Sequence, residues 1–159
     1  MKAAVYTKYG TEEVLQIKEL EKPVPKENEV LVKVFAVSIN DWDWGLLTGT
    51  PLANRFINGL KKPKRKILGS DIAGVIETVG KNVKQFKPGD EVYGDLSNYW
   101  GGFAEYVCAP ENALAISNSE STFKGLLQGV VNSLSLYTTG GLSITIALLF
   151  GKSMSVRFS

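Results

Sequence analysis

Seven glycines fall between Gly69 and Gly102, a stretch that holds two short candidate strands and leads into a third. A chain built this way cannot make long helices there. Closely spaced strands with glycine at the corners and bulges predict a small, tightly turned sheet, a sandwich or a barrel. The rest of residues 1–117 agrees. Lys2 to Thr7 reads as a short apolar strand. Val14 to Leu20 alternates, with Leu15 and Ile17 on one side and Gln16 and Lys18 on the other, which predicts a half-buried strand. Pro23 and Pro25 place 21–28 in a loop, and Val30 to Ser38 reads as a longer strand. Gly69 to Gly80, Asp90 to Gly94 and Phe103 to Cys108 supply three more. Lys87-Pro-Gly-Asp90 predicts a tight turn, because proline presets φ at its second position and glycine accepts a positive φ at its third.

Between the strands, Asn40 to Leu47 predicts a short helix with Asn40 or Asp41 as its N-cap. Thr48 to Lys66 reads as a loop or irregular arm carrying Lys61, Lys62, Lys64, Arg65 and Lys66. Beyond Ser117 the composition shifts to serine and asparagine and then to apolar residues with little charge. Thr122 to Leu136 has helical character, weakened by Gly125 and Gly129 by about 1 kcal/mol each relative to alanine.

The chain of 159 residues is 44% hydrophobic and 21% charged, an ordinary globular balance large enough to bury a core. Its 18 Lys+Arg against 16 Asp+Glu give a net charge of +2, which argues against a nucleic-acid partner or a membrane partner. No secretory h-region stands at the N-terminus, and Ile144 to Phe150 falls short of the ~20 apolar residues of a membrane span. One cysteine, Cys108, excludes an internal disulfide and fits a reducing, cytoplasmic location. The chain has no histidine. That removes Ser-His-Asp and Cys-His catalysis and every histidine-containing zinc site, and one cysteine cannot make an all-thiolate site. No metal is expected. Chemistry here rests on carboxylates, hydroxyls, amides, lysine or a borrowed cofactor.

Three stretches in register carry a family resemblance. They are Val37-Ser-Ile-Asn40 with Asp43 and Gly49, then Gly69-Ser-Asp-Ile-Ala-Gly-Val-Ile-Glu-Thr-Val-Gly80 through Val83, Phe86-Lys-Pro-Gly-Asp-Glu-Val92 and Gly94, and last Gly102-Phe-Ala-Glu-Tyr-Val107 with Pro110. With the opening Met1-Lys-Ala-Ala-Val, residues 1–117 resemble the N-terminal half of a medium-chain dehydrogenase/reductase, most similar to the zinc-independent quinone oxidoreductase and enoyl reductase branch. The resemblance implies a mainly β, GroES-like, partly open barrel with short helices. It implies 118–159 to be a truncated or degenerate start of an α/β Rossmann nucleotide-binding domain. In the zinc-dependent branch a cysteine stands at the position of Asn40, and a His-Glu pair at Ser70-Asp71. The resemblance therefore also implies no metal.

By that resemblance the reaction is hydride transfer from NADPH to a quinone or an enone, an α,β-unsaturated carbonyl compound. Asn40 and Asp43 match the family's cofactor-side residues. The full-length form could be a homodimer. Position alone would assign Asn40 and Asp43 to helix capping. Two polar positions of the branch are replaced, a tyrosine by Gly45 and an arginine by Leu47, and no proton donor can be named. No G-x-G-x-x-G is present; Thr139-Gly-Gly-Leu-Ser143 is the nearest echo of the phosphate-binding turn. The expectation is the catalytic-domain portion of a reductase, inactive as an isolated chain. The alternatives are a stand-alone GroES-like binding or assembly module, and a non-functional product whose apolar tail aggregates. Ser70 and Asp71 read as hydrogen-bonding groups at a strand start, the 61–66 cluster as a solvated loop, and Cys108 as a small buried hydrophobe. Trp42, Trp44 and Trp100 read as core or barrel-mouth packing.

Overall fold

The computed structural model describes residues 1–117 and, beyond them, the backbone of two strands, Ile144–Thr145 and Arg157–Phe158. The strands are β1 (Lys2–Val5), β2 (Gln16–Glu19), β3 (Glu29–Val37), β4 (Asp71–Val79), β5 (Glu91–Asp95), β6 (Tyr106–Pro110), β7 (Leu114–Ile116), β8 (Ile144–Thr145) and β9 (Arg157–Phe158). Two helices, α1 (Asp41–Thr48) and α2 (Ala53–Asn58), lie between β3 and β4. The expected helix at Thr122 to Leu136 and the Thr139–Ser143 echo lie outside the described residues.

The mainly β expectation is met. Five antiparallel strands form one sheet in the order β6-β3-β4-β5-β7. β1 and β2 form a separate ribbon, and β8 pairs antiparallel with β9. The sheets stay open, since β6 and β7 are free edges of the main sheet, as suits a partial GroES-like domain. The ribbon is tied on through Ala3 opposite Ala104 and through Ala4 N–H donating to the Phe103 carbonyl at 2.8 Å.

β4 sits at the centre of the order with β3 beside it, and their apolar residues carry much of the core. Val30, Val32, Val34, Ile72 and Ile76 are buried, together with Val92 of β5. β3 slips register against β4 between Leu31 and Val32 and again between Val34 and Ala36, so it bends around that core. The predicted turn is present: Asp90 N–H donates to the Lys87 carbonyl at 3.2 Å, and Gly89 has φ +93°.

Several expectations are corrected. The strand at 14–20 shrinks to β2, and all four of its residues are exposed rather than half-buried; Ile17 is 46% exposed. β2 pairs only with β1, so no second layer covers it. The last strand begins at Tyr106 rather than Phe103, because Phe103 and Ala104 are used to tie down β1. The arm 48–66 contains α2, hidden in the sequence because six residues between Pro51 and Gly59 are too short to show helical periodicity.

α2 is held by its last residue. Asn58 is fully buried; its amide donates to the Tyr6 hydroxyl at 2.6 Å, and its side-chain oxygen accepts the Arg65 N–H at 3.1 Å. The Tyr6 hydroxyl reaches the Leu46 carbonyl at 3.5 Å, which connects β1, α1 and the arm. Burial pushes the Tyr6 phenol up to about 12, so it stays protonated and can donate.

Candidate functional site

The site forms where β3 ends and α1 begins. Asn40, in extended backbone, is the N-cap, which settles the choice between it and Asp41. Its side-chain oxygen accepts from Trp42 N–H at 2.9 Å and Asp43 N–H at 3.3 Å. Asp43 answers by accepting the Asn40 N–H at 3.1 Å, completing a capping box. The Asn-x-x-Asp spacing suffices for this local structure.

The antiparallel register Val37↔Ile72 then brings a distant segment to the same place, because Ser38–Asn40 and Ser70–Asp71 leave the β3–β4 ladder at one end. The Asn40 amide nitrogen donates to Ser70 Oγ and to Asp71 Oδ2, each at 2.9 Å. Ser38 Oγ donates to the same Asp71 oxygen at 2.8 Å. The second Asp43 oxygen accepts the Gly69 N–H at 2.9 Å. Gly69 has φ +93°, and a Cβ there would stand 2.6 Å from the Phe103 backbone nitrogen, so only glycine suits this position.

The Asn40 amide has both donors and both lone pairs in use. Asp43 is 1% exposed, so it reaches no solvent. Burial pushes its carboxyl up to about 6, opposed by the two N–H donors and reinforced by the Asp71 charge. It is a clip that fixes the helix start to the loop before β4.

The positions that resemble zinc ligands of the other branch, Asn40, Ser70 and Asp71, do meet in space. Here they bond to one another. Cys108 lies on β6, outside the hydrogen bonds of this cluster, half-buried, with its thiol pushed up to about 11 by burial. Among the described residues no group of three or more His, Cys, Asp or Glu gathers.

Beside Asp43 is a small apolar pocket lined by Leu15, Ile39, Trp44, Leu47, Leu68 and Phe103. Its room is about 20 Å³, enough for about one water and far too small for a flat ring. Trp44 lines it and Trp100 is buried, as expected; Trp42 is instead 55% exposed, turned out on the first turn of α1. Sequence reasoning missed Ser38, Tyr6 and Asn58 as functional or supporting polar residues. Only Ser38 lay in a recognised motif.

The family model described as alcohol dehydrogenase GroES-like domain matches residues 26–118. Quinone oxidoreductase of Sus scrofa is 34% identical over 125 residues, covering 78% of this chain and 36% of that protein. 2-Methylene-furan-3-one reductase of Solanum lycopersicum is 34% identical over 131 residues, covering 77% of this chain and 32% of that protein. The structure of Escherichia coli quinone oxidoreductase complexed with NADPH aligns with a TM-score of 0.63 at 26% identity, over 89% of this chain and 42% of that one. The chain thus spans about a third of the length of the curated relatives it matches. The family match, the relatives and the shared fold agree: the chain belongs to the alcohol dehydrogenase GroES-like domain family, in the quinone oxidoreductase and enoyl reductase branch of the medium-chain dehydrogenases/reductases.

Proposed function

We propose that residues 1–117 are the substrate-side domain of a zinc-independent oxidoreductase that uses NADPH to reduce quinones or α,β-unsaturated carbonyls. The observation that carries this is the hydrogen-bonded cluster of Asn40, Ser70 and Asp71, held by Asp43. It puts uncharged or committed groups where the zinc-dependent branch has ligands, and similar proteins bear the names quinone oxidoreductase and NADPH-dependent alkenal/one oxidoreductase.

The described residues fit one side of a nicotinamide ring and nothing more of the cofactor. Every in-plane valence of the Asn40 amide is used, so its flat face is what remains for a ring to rest against. Asp43, buried, positions Asn40 by accepting its N–H. The pyrophosphate needs a glycine-rich strand-to-helix turn, and the full sequence has no G-x-G-x-x-G. When bound, NADPH supplies the hydride; this chain supplies orientation and an apolar wall.

The isolated chain is therefore expected to be inactive. The test is NADPH oxidation by the purified 159-residue protein with a panel of quinones and enones. Turnover at background level is the expected result. Robust turnover would show that the chain carries a complete site, against this reading.

A further inference from the structure

Residues 44–70 contain no Asp or Glu and six cations, Arg55, Lys61, Lys62, Lys64, Arg65 and Lys66. The modest net charge of the chain hides this concentration. Two of the six are engaged: Arg55 lies over the Tyr9 ring at 4.7 Å and Arg65 over the Trp100 ring at 5.9 Å. The four lysines are exposed, and none takes part in the ion pairs seen among the described residues.

The same arm exposes large apolar side chains. Leu52 is 63% exposed, Phe56 69%, Ile57 52% and Leu60 58%. They result from how α2 is seated. Its inward residue is Asn58, so Phe56 and Ile57 are left facing water. The chain then folds back, with the Lys64 N–H donating to the Asn58 carbonyl and the Arg65 N–H to its side chain, which keeps the lysines against the end of the helix.

We propose that this arm is a docking surface for an anionic lipid bilayer. Exposed Leu, Ile and Phe side chains gain by entering the boundary between headgroups and acyl chains. Lysines beside them reach headgroup phosphates and carboxylates, and a cluster of four suffices for electrostatic attraction to an anionic leaflet. A nucleic acid would satisfy the lysines but leave the aliphatic residues in water. This is a peripheral contact; no helix among the described residues is long and apolar enough to cross a membrane. The inference does not depend on the reading of the site above.

The test is co-sedimentation of the purified chain with phosphatidylcholine vesicles, with and without phosphatidylserine. Binding is expected only with phosphatidylserine and should weaken as salt rises. The triple variant K61Q/K62Q/K64Q should lower the partition coefficient at least about tenfold. The variant F56S should lower it severalfold with the lysines intact. All of these side chains are exposed, and circular dichroism of each variant checks that it is folded. The proposal is overturned by absence of binding, by equal binding to neutral vesicles, by an unchanged F56S, or by displacement from vesicles by transfer RNA.

Discussion

Asp43 concentrates the physics of this site in one side chain. It is a buried carboxylate that accepts two backbone N–H bonds, from Asn40 and Gly69. Burial outweighs those bonds and holds its folded pKa at about 6, above the ordinary 3.8. Between these values the folded state binds more protons than the unfolded state. Its contribution therefore favours folding fully below pH ~4 and is lost as pH rises through about 6. A shift of that size corresponds to about 3 kcal/mol. Denaturation midpoints of the natural chain and Asp43→Asn, taken from pH 4 to pH 7, should diverge accordingly. The natural chain should gain stability on acidification relative to the variant. A constant difference across the range would mean that Asp43 does not titrate there. Asp43→Ala should cost about 2–3 kcal/mol near pH 4, since it leaves two backbone donors without their partner, and less as pH rises through about 6.

At the scale of elements, α2 depends on a tertiary hydrogen bond more than on its own helicity. Six residues are below the length at which a helix is stable alone. Asn58→Ala would strand the Tyr6 hydroxyl and the Arg65 N–H, for a loss of about 2–3 kcal/mol in urea unfolding. Trypsin should then cut at Lys61–Lys66 faster than in the natural chain, because the fold-back onto Asn58 is released. Unchanged proteolysis would mean that the arm is held by something else. The ribbon shows the opposite dependence. β2 is exposed along its length and contributes little burial, so β1 is anchored by Phe103 and Ala104.

For the molecule as a whole, the described residues form a main apolar core, a small second cluster of Ala3, Val5 and Ala104, and one wall of a proposed cleft. A dinucleotide needs a second wall. Fusing the dinucleotide-binding domain of a quinone oxidoreductase relative after residue 117 should confer saturable NADPH binding, read by nicotinamide fluorescence. The unfused chain should show none. Saturable binding by the unfused chain would mean that residues 118–159 or residues 1–117 themselves supply a phosphate site.

Local chemistry was legible in the residues themselves. The Asn-x-x-Asp capping box, the Lys-Pro-Gly-Asp turn, the apolar runs of β1, β3 and β4 and the absence of histidine all act over a few positions or none. So the sequence alone determined the helix start, the turn, the mainly β class and the exclusion of histidine-based chemistry. What it could not decide was which faces end up covered. Ile17 alternates like a buried residue yet is exposed, because burial needs a second layer and β2 has only β1 beside it. Asn58 reads as a loop residue yet is fully buried, because its partners Tyr6 and Arg65 come from other segments. The site itself belongs to this second kind. Asn40 meets Ser70 and Asp71 only through the pairing of β3 with β4, and thirty residues of chain separate them. Hydrogen bonds between side chains so far apart are set by sheet register, which is a property of the folded chain and not of any local stretch.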